Sequence, residues 1–214
     1  MFKVAKDWNP KQARLREIIL KPDHFDEAIA LCLDLHSIVH SSDVSPGVAE
    51  TLFDEVWADL SKEAFEVVAR NIWHITRIED MTANVLILDA EQVLNDAWLK
   101  RLGVTVTDTA NAWTDDKTIS FSRSVNMGEL RNYRNAVGVK TREIINSLLP
   151  ADMKRKVKQE SVKRILAEGG VNNHSTWLLD FWGRKNVAGI LLMPITRHQV
   201  AHLNDSINKK MSRK

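Results

Sequence analysis

The stretch Thr196-Arg-His-Gln-Val-Ala-His-Leu-Asn-Asp205 carries two histidines, His198 and His202, four residues apart. In a helix that spacing stacks both imidazoles on one face, one turn apart. Such a pair is able to grip one metal ion, although two exposed or hydrogen-bonded histidines produce the same spacing. A second stretch, NIWHITRIEDM at residues 71–81, bears on the choice. It places His74 on the same helical face as Val67, Asn71, Ile78, Met81 and Val85, where apolar residues point inward. Arg70, Arg77 and Asp80 fall on the opposite face and read as outward.

Working outward from these two segments, the periodicity predicts a mostly helical chain. Asp23 is placed to cap a helix that runs to about Ser41, with Phe25, Ile29, Cys32, His36 and Val39 on its stripe. Ser, Pro and Gly at residues 41–47 mark a loop. Residues 51–65 read as a helix or a helix and turn, and a long helix follows from about Val67 to Leu88. Another spans about Met127 to Leu149 and stops before Pro150. STWLLDFWG reads as a short apolar helix ending near Gly183. The last helix runs from about Lys185 to Lys209, and Pro194 inside it predicts a kink or a split. Residues 1–21 read as a peripheral extension. Residues 89–125 are rich in Thr and Asp without a period. They read as a long connection with a short helix near 91–101, of a length often used as a lid over a site. Only VTV at 104–106 hints at a strand. The pattern is that of an all-α helix bundle in one domain, residues 1–214.

Bulk properties narrow the function. Of 214 residues, 44% are hydrophobic and 27% charged, and the net charge is +2, so nucleic acid is not indicated. The basic stretches KRKVKQESVKR (154–164) and KKMSRK (209–214) read as a solvated helix face and a frayed tail. Seven Trp beside one Tyr read mainly as core bulk. One cysteine, Cys32, excludes an internal disulfide and reads as a small buried hydrophobe on its stripe, or else as a reactive thiol. No leader sequence and no run of about 18 apolar residues is seen, so a cytoplasmic protein without membrane spans is expected.

Three inward imidazoles, His74, His198 and His202, make a facial set for a divalent first-row ion and leave a position for water or substrate. A water held there loses its proton near neutral pH and becomes a nucleophile. His36 and His40 form another pair at the same spacing. No third partner suggests itself for them, and they read as lining or supporting residues. Asn204 and Asp205 are placed to orient an imidazole of the last helix, and Glu79 and Asp80 to orient His74, although the latter two also read as plain surface charges. HExxH, GxSxG, P-loop and strand-linked GxGxxG signatures are missing.

WHITRIED around His74 and TRHQVAHLND around His198 and His202 resemble the motifs of the DinB-like superfamily, also described as YfiT-like metalloenzymes. RNYRNAVGVKTREIINSLLP is similar to that group as well, and the resemblance covers roughly residues 23–210. It implies a four-helix bundle of up-down-down-up topology, with the long connection between its second and third helices. It implies a metal triad of His74, His198 and His202, holding zinc or nickel. It also implies a small-molecule substrate, with low-molecular-weight thiols as cosubstrates of isomerase or S-transferase chemistry in some relatives. Leu203, Asn204 and Asp205 stand where the family commonly has Arg-Gly-Gln. The expectations are therefore a metal-dependent S-transferase or hydrolase, or else a non-catalytic metal-binding or interaction bundle, with a homodimer left open. A nucleic-acid-associated protein is a third, weaker expectation.

Overall fold

Ten or more residues of one helix, buried on every side, set the architecture. The computed structural model describes residues 3–48 and 51–212 and is helical throughout, with no strand among the described residues. The helices in chain order are α1 (Lys3–Ile18), α2 (Phe25–Val39), α3 (Leu52–Trp57), α4 (Lys62–Asp80), α5 (Asp96–Leu102) and α6 (Asp115–Ser124). There follow α7 (Met127–Ser147), α8 (Gln159–Ala167), α9 (Trp177–Gly183), α10 (Val187–Ile190) and α11 (His198–Met211). VTV is not a strand, and among the described residues an isolated antiparallel bridge joins Lys156 to Asn186.

Ser61 starts α4 by accepting from the Ala64 N–H, and Asn126 caps α7 through the Glu129 N–H. α4 then packs against α6, α7 and α11 at once. From Asn71 to Ile87 every residue is buried. A helix covered all round has no wet face, so Arg77 and Asp80, expected to point outward, are inside. Arg77 Nη1 donates to Asp80 Oδ2 and to the Tyr133 hydroxyl, each at 2.9 Å. Asp80 in turn accepts from the Val93 and Leu94 N–H groups and anchors the chain leaving the helix.

Two π-helical segments extend the main helices, one after α4 (Met81–Leu88) and one between α10 and α11 (Leu191–Arg197). The first ends at Asp89, whose φ of 59° turns the chain out of the helix. The second contains Pro194. Rather than splitting the helix, Pro194 sits in a widened turn that absorbs its missing N–H, and the axis continues into α11.

Other expectations need correction. α1 is not peripheral, since Trp8, Leu15, Ile18 and Ile19 belong to the core. Residues 89–125 hold two helices, α5 and α6, capped by Asn95 and Thr114. The basic stretch at 154–164 is partly structural. Arg155 donates to the Ile87 carbonyl, Arg164 to that of Ala90, and Lys158 pairs with Asp89, so together they fasten the chain where α4 ends. Within KKMSRK, Lys210 is buried and its Nζ meets the Glu55 and Ala58 carbonyls at the end of α3, while residues 213 and 214 lie outside the described residues. Trp8, Trp73 and Trp182 are core, but Trp177 is 57% exposed. Cys32 is fully buried, and burial pushes its thiol up to about 12, as suits a small core residue. No described helix is long and apolar enough to cross a membrane.

Candidate metal centre

α4 contributes His74 and α11 opens on His198, with His202 one turn on. The structure brings all three together, with one ligand atom from each lying within 4.8 Å of the others. Ring centroids are 5.0 Å apart for His74 and His198, 4.6 Å for His74 and His202, and 4.5 Å for His198 and His202.

What orients His74 is a strap that the sequence does not reveal. Arg70, Trp73, His74 and Arg77 form one stripe of α4. Their side chains donate to the carbonyls of Ala110, Asp108, Thr109 and Thr107, at 2.6, 2.9, 2.6 and 2.9 Å. Four consecutive carbonyls are thus laid along the helix. Asp108 stiffens the strap, accepting from the Ala110 N–H and from Trp113 Nε1, and Ala110 is held at a φ of 59°. Because His74 Nδ1–H donates to Thr109, its lone pair lies on Nε2. That Nε2 is 3.2 Å from Nε2 of His198. The separation fits two nitrogens bound to one ion at ~2.0–2.1 Å, and it also fits a hydrogen bond from His198 to His74. Either way His198 Nδ1 stays buried without a protein partner.

All three imidazoles are held neutral, the form that binds metal. Burial, then His198 and His202, hold His74 well below the ordinary histidine range. Burial, with His202 and Arg70, brings His198 down to about 3. Burial and Arg70 also lower His202, against the pull of Asp205.

The triad opens on a cavity of about 350 Å3. Its apolar walls come from α9, through Trp177, Leu178, Phe181 and Trp182, and from Met193 and Pro194 of the second π segment. Arg70 and Asn111 complete the polar end. The expected lid is therefore mostly α9. Segment 89–125 contributes Asn111 and the strap, while Trp113 packs on Phe121 instead. The supporting partners also differ from expectation. Asp205 accepts from Asn71 at 2.8 Å and pairs with Lys209 rather than orienting an imidazole, and the hydrogen-bond partners of His74 are Thr109 and His198, not Glu79 or Asp80. The signal for α9 was present, since Trp177 and Phe181 are four residues apart in a nearly all-apolar helix.

The second histidine pair does have a third partner, Glu79. His36 Nε2 lies 2.8 Å from Glu79 Oε1 and His40 Nε2 lies 2.9 Å from Oε2, with all three side chains at 0% exposure. The two rings stack at 4.2 Å. Arg134 Nη1 stands 3.9 Å from Glu79 and supplies a buried counter-charge. Burial works to raise the Glu79 carboxyl, but the His40 and His36 imidazoles outweigh it and hold the carboxyl well below its ordinary range. Burial takes His40 down to about 3 against the pull of Glu79. Gly138 permits the close packing, because a Cβ there would meet His40 Nδ1 at 2.4 Å. This set also has the atoms to hold an ion. A bridge joins the two clusters. Arg134 donates to Gln199 Oε1 at 3.0 Å, and Gln199 Nε2 donates to the carbonyls of Ile75 and Pro194. Gln199 thus ties together the neighbours of His74 and His198.

Comparison of the chain with protein-family models, with curated proteins and with solved structures finds no match.

Proposed function

We propose that the protein is a metal-dependent enzyme of the DinB-like kind, acting on a small molecule in the α9-walled cavity. The observation that carries this reading is the convergence of three neutral imidazoles, His74, His198 and His202, at the polar end of a cavity able to admit a solute. They would hold zinc or nickel, which when bound supplies a Lewis acid for thiol transfer or hydrolysis. Thr109 fixes the His74 ring, Gln199 fixes the spacing of the helices, and the α9 aromatics keep water from the apolar end. The up-down-down-up order is part of the proposal, with α2, α4, α7 and α10–α11 as the four bundle helices. The long connection between α4 and α7 supports it.

His36, His40 and Glu79 support the reading by contrast, because their facing atoms are already hydrogen-bonded to each other. The test is cobalt substitution followed by titration with azide or a thiol. The visible spectrum should change on titration and lose its intensity in His198→Ala. A spectrum indifferent to every small ligand would favour a non-catalytic bundle whose ion only fastens helices.

A further inference from the structure

The charge of the cavity is one-sided. Among the residues that line it, Arg70 carries the one fixed charge, and no Asp or Glu is present. Arg70 spends one bond on the Ala110 carbonyl at 2.6 Å and a long one on Asn71 Oδ1 at 3.5 Å. A guanidinium has five N–H donors, so donors remain, and among the described residues no carboxylate pairs with it within 4 Å. The nearest acid in charge terms, Asp205, is committed to Asn71 and Lys209. Burial lowers the Arg70 pKa, with Asp205 pulling the other way, and the group stays charged at neutral pH. A half-buried cation with unused donors, pinned in place by the strap, is an anion receptor. The α9 wall is apolar and aromatic, with Trp177, Phe181 and Trp182. The cavity volume, about 350 Å3, lies at the lower end for small-molecule sites.

Resting on the reading of this cavity as the substrate site, we infer that Arg70 selects a small monoanionic substrate with a flat apolar body. The carboxylate-like group is held by the free face of the guanidinium beside the imidazoles, and the body lies against α9. Asn111 stands at the same end and offers an amide to the second oxygen.

The test is calorimetric titration of the metal-loaded protein with 3-phenylpropionate, 3-phenylpropionamide and 3-phenylpropylamine. The acid should bind at least about ten-fold more tightly than the amide, as a charge-assisted bond requires, and the amine should not bind. Arg70→Gln should abolish the preference, acid and amide then binding alike. Arg70→Lys should restore part of it and guards against a folding artefact. Equal binding of acid and amide by the native protein, or an unchanged preference in Arg70→Gln, overturns the inference. Repeating the titration after chelation separates the two readings. A preference that persists without metal belongs to Arg70, and one that vanishes belongs to the ion and overturns the Arg70 assignment. A native protein that never binds metal but still prefers the acid sinks the proposed chemistry and leaves the anion site standing.

Discussion

The two histidine clusters are built by the same rule and end in opposite states. Each takes two histidines four apart, His36 in α2 and His40 just past its end or His198 and His202 from α11, and a third residue from α4. The third residues, His74 and Glu79, lie five positions apart on that helix. Glu79 brings a charge and acceptor oxygens, so the pair beside it spends its Nε2 atoms on hydrogen bonds, and Arg134 balances the charge. The Nδ1 atoms of both rings stay buried without a partner, but the atoms that face one another are spent and the core closes over them. His74 brings a lone pair and no charge, its one proton being given to Thr109. Among the described residues no carboxylate faces that cluster's nitrogens, its one internal contact being the 3.2 Å approach of His198 Nε2 to His74 Nε2, and it faces a cavity. The difference teaches that histidine spacing specifies where imidazoles gather. What faces their nitrogens specifies whether a site is left.

The strongest way to break the contrast is to remove the sealed cluster's charge. Glu79→Leu leaves Arg134 buried without its partner and should cost about 3–5 kcal/mol, read as the midpoint of urea unfolding. His202→Ala, at the open cluster, should cost about 1 kcal/mol or less in metal-free protein, because it enlarges an existing cavity without creating a sealed void. Comparable losses in the two variants would contradict the distinction.

Gly138→Ala probes how tightly the sealed cluster is packed. Its Cβ collides with His40, and overpacking of this kind costs about 1–3 kcal/mol. Metal content should stay at the native level. Native-like stability would show that His40 has room to move.

Acid should weaken the sealed cluster without any mutation. His40 titrates near 3 when folded and near 6.5 when unfolded, so between those values the unfolded chain binds more protons. Its contribution is complete above pH 6.5 and is lost as the pH falls toward 3. The depressed Glu79 carboxyl acts in the same direction, its contribution being lost as the pH falls below the ordinary carboxylate range. Urea midpoints measured from pH 7.5 down to 4 should fall, and His40→Gln should flatten that fall. A profile the same in both proteins would remove His40 from the account.

Cys32→Ala is the smallest change, about 1 kcal/mol as a minor core truncation, with native labelling by thiol reagents slow because the thiol is buried. Rapid labelling would show that α2 opens.

How much of this was legible follows from the same contrast. The meeting of His74 with His198 and His202 could be read from periodicity, since each lies on an apolar stripe. Glu79 and Arg77 could not, because a stripe argument assumes one wet face, and α4 has none from Asn71 onward. Arg70 was misplaced for another reason, since it stands one turn before His74 on the same stripe and so faces the site. The strap at 107–110 joins through backbone carbonyls, which any residue carries, so composition holds no trace of it. The helices inside 89–125 were legible in principle, because Asn95 and Thr114 each precede an acidic first turn.

The most direct test of the central claim is elemental analysis of the purified protein, native and variant, after equilibration with zinc. One equivalent of metal is expected in the native protein, in Gly138→Ala and in His36→Gln, with ten- to a hundred-fold weaker retention or worse in His74→Ala and His198→Ala. Two equivalents in the native protein, or a full equivalent kept by His74→Ala and lost by His36→Gln, would place the ion in the sealed cluster and contradict the account.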